Sequence, residues 1–172
     1  MACILTQGNS LPCRDSVGGI AEIYIAELAN KATLTTTSGV ITAFTMASTK
    51  KFWTYFVEKE DASFTDTTTV SAEAGTKFNE QGGTFTIKQM NSSNRNELDI
   101  LAKNKVMLIA KDNNGVYWLY GEANGLDVVT IAATSGKAYG EMNGYTITFA
   151  GKEVAPAKAV TSALMATLTV AA

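Results

Sequence analysis

The sequence predicts a mainly β fold: a two-sheet β-sandwich or small barrel with one flanking α-helix. Three observations carry that prediction. The 23 Thr, 11 Val and 10 Ile make up about a quarter of the 172 residues. Branching at Cβ restricts χ1 and suits a pleated surface better than a helix. Short runs alternating apolar and polar residues recur along the chain, and its 14 Gly and 2 Pro place turns between them. A chain of this length can bury a core without disulfide or metal staples. No Pro- or Ser-rich linker and no repeat divides it, so residues 1–172 read as one domain.

Residues 1–19 have no sustained period and read as an irregular arm. Ile20–Ala26 is the first expected strand, with Ile23 and Ile25 on one face and Glu22 and Tyr24 on the other. Asn30–Gly39 reads as a Thr-rich loop, followed by a strand over Val40–Thr45. In residues 51–59, Phe52 and Phe56 share one face while Trp53, Tyr55 and Val57 share the other. Both faces are apolar, so the strand needs cover on two sides, from the fold or from a neighbouring subunit. The acidic, hydroxyl-rich segment Glu58–Ala74 reads as a long solvated hairpin, the core of an arm over about 58–83. Gln81-Gly82-Gly83 reads as its closing turn, before a strand over Thr84–Gln89.

The spacing predicts a helix over Asn94–Lys103, with Asn94 as cap, Glu97 three positions on, and Leu98 and Leu101 as its stripe. Val106–Ala110 is a continuous apolar run suited to a central strand. Asp112-Asn113-Asn114-Gly115 is a hairpin signal, because Asn and Gly tolerate positive φ. Val116–Tyr120 is the return strand, again apolar on both faces. Further strands are expected over Leu126–Ala132, from near Tyr139 through Phe149, and over Ser162–Val170, where Leu164, Ala166, Leu168 and Val170 share a parity. About nine or ten strands and one helix result.

The chain has no histidine, which removes Ser-His-Asp and Cys-His nucleophile systems, HExxH zinc sites and histidine acid/base chemistry. No Walker A sequence or G-x-S-x-G elbow occurs, and Gly18-Gly19 lacks the residues of a phosphate cradle. No catalytic residue, cofactor or metal is therefore expected. Cys3 and Cys13 read as free, partly buried thiols of a reducing cytoplasm. No secretory signal and no run of roughly 20 apolar residues is present, so membrane insertion is not expected. A net charge of −2 argues against gripping nucleic acid through its phosphates.

The aromatic residues of the two-faced strands can stack sugars or bases, but without interleaved basic residues they read as core or subunit interface. Phe52, Trp53, Tyr55, Phe64 and Trp118 are the assembly-interface candidates. A subunit that completes its apolar cover by association is the physical reading of these strands.

Three stretches, Cys13–Ile20 (CRDSVGGI), Asp112–Gly121 (DNNGVYWLYG) and Asn143–Glu153 (NGYTITFAGKE), resemble structural proteins of tailed bacteriophages. The last is similar to the final long strand of tail tube proteins. The resemblance covers most of the chain in layout, though each motif is short. It implies a β-sandwich with a flanking helix, six copies per ring, and rings stacked into a conduit through which DNA passes without specific binding. Neighbouring sheets would join into a continuous lumen wall, the 58–83 arm would contact the adjacent ring, and the N-terminal segment would be a second contact. The protein's partners would then be itself and other virion proteins, and its place the virion tail, assembled in the bacterial host cytoplasm. Glu58, Glu60, Asp61 and Asp66 are the candidates for a negative lumen that repels phosphate. Two alternatives stand beside this: another virion ring, neck or capsid-associated protein, and a carbohydrate- or host-binding β-sandwich module.

Overall fold

The computed structural model describes residues 7–11 and 13–170. It is mainly β. The strands are β1 (Ile20–Glu27), β2 (Lys31–Thr37), β3 (Val40–Met46), β4 (Phe52–Phe56), β5 (Ala62–Ser71), β6 (Thr76–Lys88), β7 (Val106–Asp112), β8 (Tyr117–Tyr120), β9 (Asp127–Thr134), β10 (Gly144–Glu153), β11 (Lys158–Val160) and β12 (Thr169–Val170). The helices are α1 (Ser92–Leu101) and α2 (Ser162–Leu168). Eight strands form one sheet in the order β12-β4-β1-β7-β8-β11-β3-β2, and four form a second in the order β5-β6-β10-β9.

The eight-stranded sheet has a core on each face, and strand alternation builds both. Ile23 and Ile25 of β1 join Leu108 and Ala110 of β7 on the face that packs against Phe85, Tyr145, Ile147 and Phe149 of the second sheet. Leu98 and Leu101 of α1 close that core. On the opposite face Tyr24, Met107, Ile109 and Leu119 meet Met165 and Leu168 of α2. The sheet bends around α2: Phe44 of β3 and Phe52 of β4, seventh and second in strand order, meet edge to face with ring centroids 5.7 Å apart. Reciprocal backbone bonds between Val106 and Leu126, 2.8 and 3.0 Å, tie the start of β7 to the start of β9. Phe52, Phe85 and Phe149 are at most 1% exposed, and burying each contributes about 1.5–3 kcal/mol.

Several elements differ from expectation, each for a local reason. Ser162–Val170 is α2 followed by β12, not one strand; Met165 and Leu168 face the core three positions apart. Over nine residues, apolar groups at i+2 and at i+3 coexist, and Ala, Leu and Met favour the helix. Residues 31–37 are β2 rather than loop, and Ser38 and Gly39, with φ of 51° and 80°, make its two-residue turn into β3. Gln81-Gly82-Gly83 lies inside β6, not at a turn. A Cβ on Gly83 would fall 2.4 Å from the Ser63 carbonyl oxygen and the Phe64 ring, so the glycine permits a close strand approach. Helix α1 starts earlier than expected: Asn91, not Asn94, is the cap, its Oδ1 accepting from the Asn94 N–H at 2.7 Å. β10 begins at Gly144 rather than near Tyr139, which is fully exposed in the preceding loop.

Candidate assembly surface

The second sheet turns one face to the core and the other outward. Phe85, Ile147 and Phe149 point inward, so the period of two sends their neighbours to the open face. The strand registers place Ser63, Thr84, Thr148 and Thr130 opposite one another, a row of hydroxyls across all four strands. The adjacent row holds Thr86 and Thr146 with Ala132. Charges on this face are few and mostly paired. Lys152 lies 3.5 Å from Glu80, and Lys88 lies 2.9 Å from Asp61 and 3.6 Å from Glu58. The hydrogen bond to Asp61 raises the Lys88 ammonium above its ordinary pKa.

Each outer strand of this sheet has a single neighbour, β6 for β5 and β10 for β9. β5 runs ten residues and β9 eight, and neither contains Pro or Lys. Their only charges are Asp66 and Asp127, and Val70 and Val129 are 67% and 62% exposed. Natural edge strands are ordinarily blunted by short length, Lys, Pro or a covering loop. The eight-stranded sheet has such devices: β12 is two residues long and β2 begins with Lys31. β5 and β9 carry neither; β9 has an irregularity at Val129 and β5 an inward-pointing Asp66 instead.

The aromatic candidates separate in space. Phe52 is buried against α2, inside its own chain. Tyr55 stands edge-on to Phe85 at 5.9 Å, and burial, then the nearby Glu97, raise its hydroxyl pKa. Phe64 lies 5.4 Å from Tyr120, and Trp118 donates its indole N–H to Asp112 at 3.3 Å. Of the five, Trp53 alone is mostly exposed. The two apolar faces of β1, β7 and β8 are covered by the chain itself, by the second sheet on one side and α2 on the other.

The acidic candidates do not gather on one surface. Asp66 points between the sheets, its Oδ2 accepting from the Ala157 N–H at 2.6 Å and its Oδ1 from Asn79 at 3.4 Å. Burial, with Asp66 and Asp112 nearby, pushes the Tyr120 hydroxyl up to about 12. Asp61 and Glu58 are taken up by Lys88, while Glu60 is an exposed turn residue with φ of 66°.

Two buried polar residues hold this sheet's frame and were invisible to pattern reading. Gln81 is 3% exposed; its Oε1 accepts from the Gly121 N–H at 2.9 Å and its Nε2 donates to the Ala155 carbonyl at 3.3 Å. Glu153, also 3% exposed, accepts from the backbone N–H groups of Ala123, Asn124 and Gly125 at 3.2, 2.8 and 3.1 Å. The hydroxyl rows were half visible: alternation in Thr84–Ile87 and Tyr145–Phe149 shows one polar face per strand, but only the register aligns them. Cys13 is exposed rather than partly buried, and Cys3 lies outside the described residues.

Among the described residues no three metal-ligating side chains cluster, and no helix is long and apolar enough to cross a membrane. No protein-family model, curated protein or solved structure matches the chain.

Proposed function

We propose that this chain is a virion structural protein of a tailed bacteriophage, the tail tube subunit, whose copies close into six-membered rings and stack into a conduit for DNA. The observation that carries the reading is the second sheet, open at both edges and lined on its outer face by hydroxyls. All its pairings are antiparallel across four strands, so β5 and β9 run in opposite directions. A β5–β9 junction between copies therefore continues the antiparallel ladder without a change of hand. Such a contact is heterologous, and it closes into a ring when the rotation per copy fits.

The hydroxyl face would then line the lumen. It offers DNA no row of Lys or Arg, so passage releases few counterions and the duplex is not held. Paired charges and neutral hydroxyls replace the negative lining expected from Glu58, Glu60, Asp61 and Asp66.

Negative-stain microscopy of the concentrated protein tests this reading. Rings or short tubes are the expected result. Val129→Lys on β9 or Val70→Lys on β5 places a charge on an edge without touching the core, and should abolish rings while leaving the circular dichroism spectrum unchanged. Protein that stays single at every concentration contradicts the proposal.

A further inference from the structure

We propose that Asp66, Thr68 and Asn79, at the end of the second sheet beyond its apolar core, form a site for a divalent cation of the calcium class. Asn79, on β6, is 0% exposed. Its Nδ2 donates to Thr68 Oγ1 at 3.1 Å and reaches Asp66 Oδ1 at 3.4 Å, while its Oδ1 has no hydrogen-bond partner. A second buried side-chain oxygen without a hydrogen bond, Asp61 Oδ2, is served by Lys88 at 2.9 Å. Among the described residues Asn79 Oδ1 is therefore the one buried side-chain oxygen with nothing to meet it. A buried orphan of this kind calls for a partner from outside the chain, a water or an ion.

The surroundings select an ion. Thr68 lies opposite Asn79 on β5 and Glu153 opposite it on β10, while Asp66 is two residues from Thr68 on the same strand face. Asp66 and Glu153 both point between the sheets, and among the described residues neither carboxylate has a Lys or Arg partner. Their hydrogen bonds come from backbone N–H groups and from Asn79. Two carboxylates without a counter-charge beside an orphan amide oxygen lack positive charge, which a neutral water does not supply. Every donor is a hard oxygen, the set that suits calcium rather than zinc or copper. Amide and hydroxyl oxygens complete it, so it is not a cluster of three His, Cys, Asp or Glu side chains.

A half-turn of the Asn79 amide exchanges its nitrogen and oxygen. The oxygen then stands where the nitrogen was, at the 3.1 and 3.4 Å spacings from Thr68 Oγ1 and Asp66 Oδ1. Oxygens that share a cation at about 2.3–2.6 Å and at right angles are about 3.3–3.7 Å apart, so the three need move little to hold one. The same turn carries the Nδ2 donors to the β10 side, where Glu153 offers acceptors. Asn79 is the buried floor, Asp66 is half-buried and Thr68 is exposed. The ion therefore arrives from the Thr68 side and keeps waters there. Once bound, it clamps β5 to β6 at Asp66, whose Oδ2 also holds the Ala157 N–H.

The test uses the full chain freed of metal by a chelator, with Ca²⁺ as the probe. Saturating Ca²⁺ should raise Tm by about 5 °C, and equal Mg²⁺ or K⁺ by less than about 1 °C. Tb³⁺ should emit when Tyr120, which feels the Asp66 charge, is excited, and excess Ca²⁺ should remove that emission. Asp66→Asn keeps an oxygen for the Ala157 N–H and should abolish both signals. Thr68→Val, at an exposed position, should weaken Ca²⁺ about tenfold and serves where Asp66→Asn does not fold. Asn79→Asp should lower Tm in chelator, regain it in Ca²⁺, and bind Ca²⁺ about tenfold more tightly. A Tm indifferent to Ca²⁺ overturns the inference, as does a Ca²⁺ response that survives Asp66→Asn or is unchanged in Thr68→Val. Asn79→Asp destabilised equally with and without Ca²⁺ also overturns it and leaves a trapped water as the partner of Asn79. Ring formation enters none of these readouts, so failure of either proposal leaves the other standing.

Discussion

Glu153 and Glu60 are both acidic residues, and their surroundings set opposite expectations. Glu153 holds the loop between Gly121 and Gly125 by accepting three backbone N–H groups. Glu153→Ala should cost about 2–3 kcal/mol in denaturant unfolding, because three buried donors lose a charged acceptor. Glu60→Ala, at an exposed turn, should stay within about 0.5 kcal/mol. A second pair, Glu22 and Lys111, contributes to the acid limb of stability. Glu22 accepts from Lys111 at 2.8 Å and from the Tyr24 hydroxyl. The Lys111 hydrogen bond, then that of Tyr24, holds its carboxyl below the ordinary 4.5. A depressed carboxylate stabilises the fold above its unfolded pKa and loses that contribution as pH falls through the folded value. Glu22→Gln should therefore cost about 1–2 kcal/mol at neutral pH and flatten the loss of stability below about pH 4.5, measured as Tm against pH.

At the scale of elements, what could be read from the chain depended on how much of each signal was local. β1 and the β7–β8 hairpin were legible because alternation, the 106–110 apolar run and the Asp-Asn-Asn-Gly turn all act within a few residues. α2 was not, since a nine-residue window holds both periods. Gly82 and Gly83 were misread because a strand glycine and a turn glycine look alike until the neighbouring strand is in place. Gly83→Ala tests that assignment. It should destabilise by about 1–3 kcal/mol through the clash with Ser63 and Phe64, whereas Gly39→Asn, at a turn with φ of 80°, should be nearly neutral because Asn tolerates that region. Of the candidate surface, the polar parity of each strand was readable and the alignment of four strands into hydroxyl rows was not, because register is a non-local property.

For the whole molecule, the open question in the sequence was what covers strands that are apolar on both faces. For β8 and the apolar run of β7 the chain answers it alone, with a sandwich core on one side and α2 on the other, whereas on β4 Phe52 is buried and Trp53 and Phe56 stay 58% and 71% exposed. Also unpaired is the backbone along the outer edges of β5 and β9. In the proposed ring the unpaired ladders of β5 and β9 make the junction, so ring formation should depend on edge chemistry rather than on salt. Sedimentation velocity from about 1 µM to about 1 mM, comparing the natural chain with Val129→Lys, measures this most directly. The account predicts a concentration-dependent ring species in the natural chain that the single edge charge eliminates. A natural chain that sediments as one copy throughout, or a ring indifferent to Val129→Lys, would contradict it.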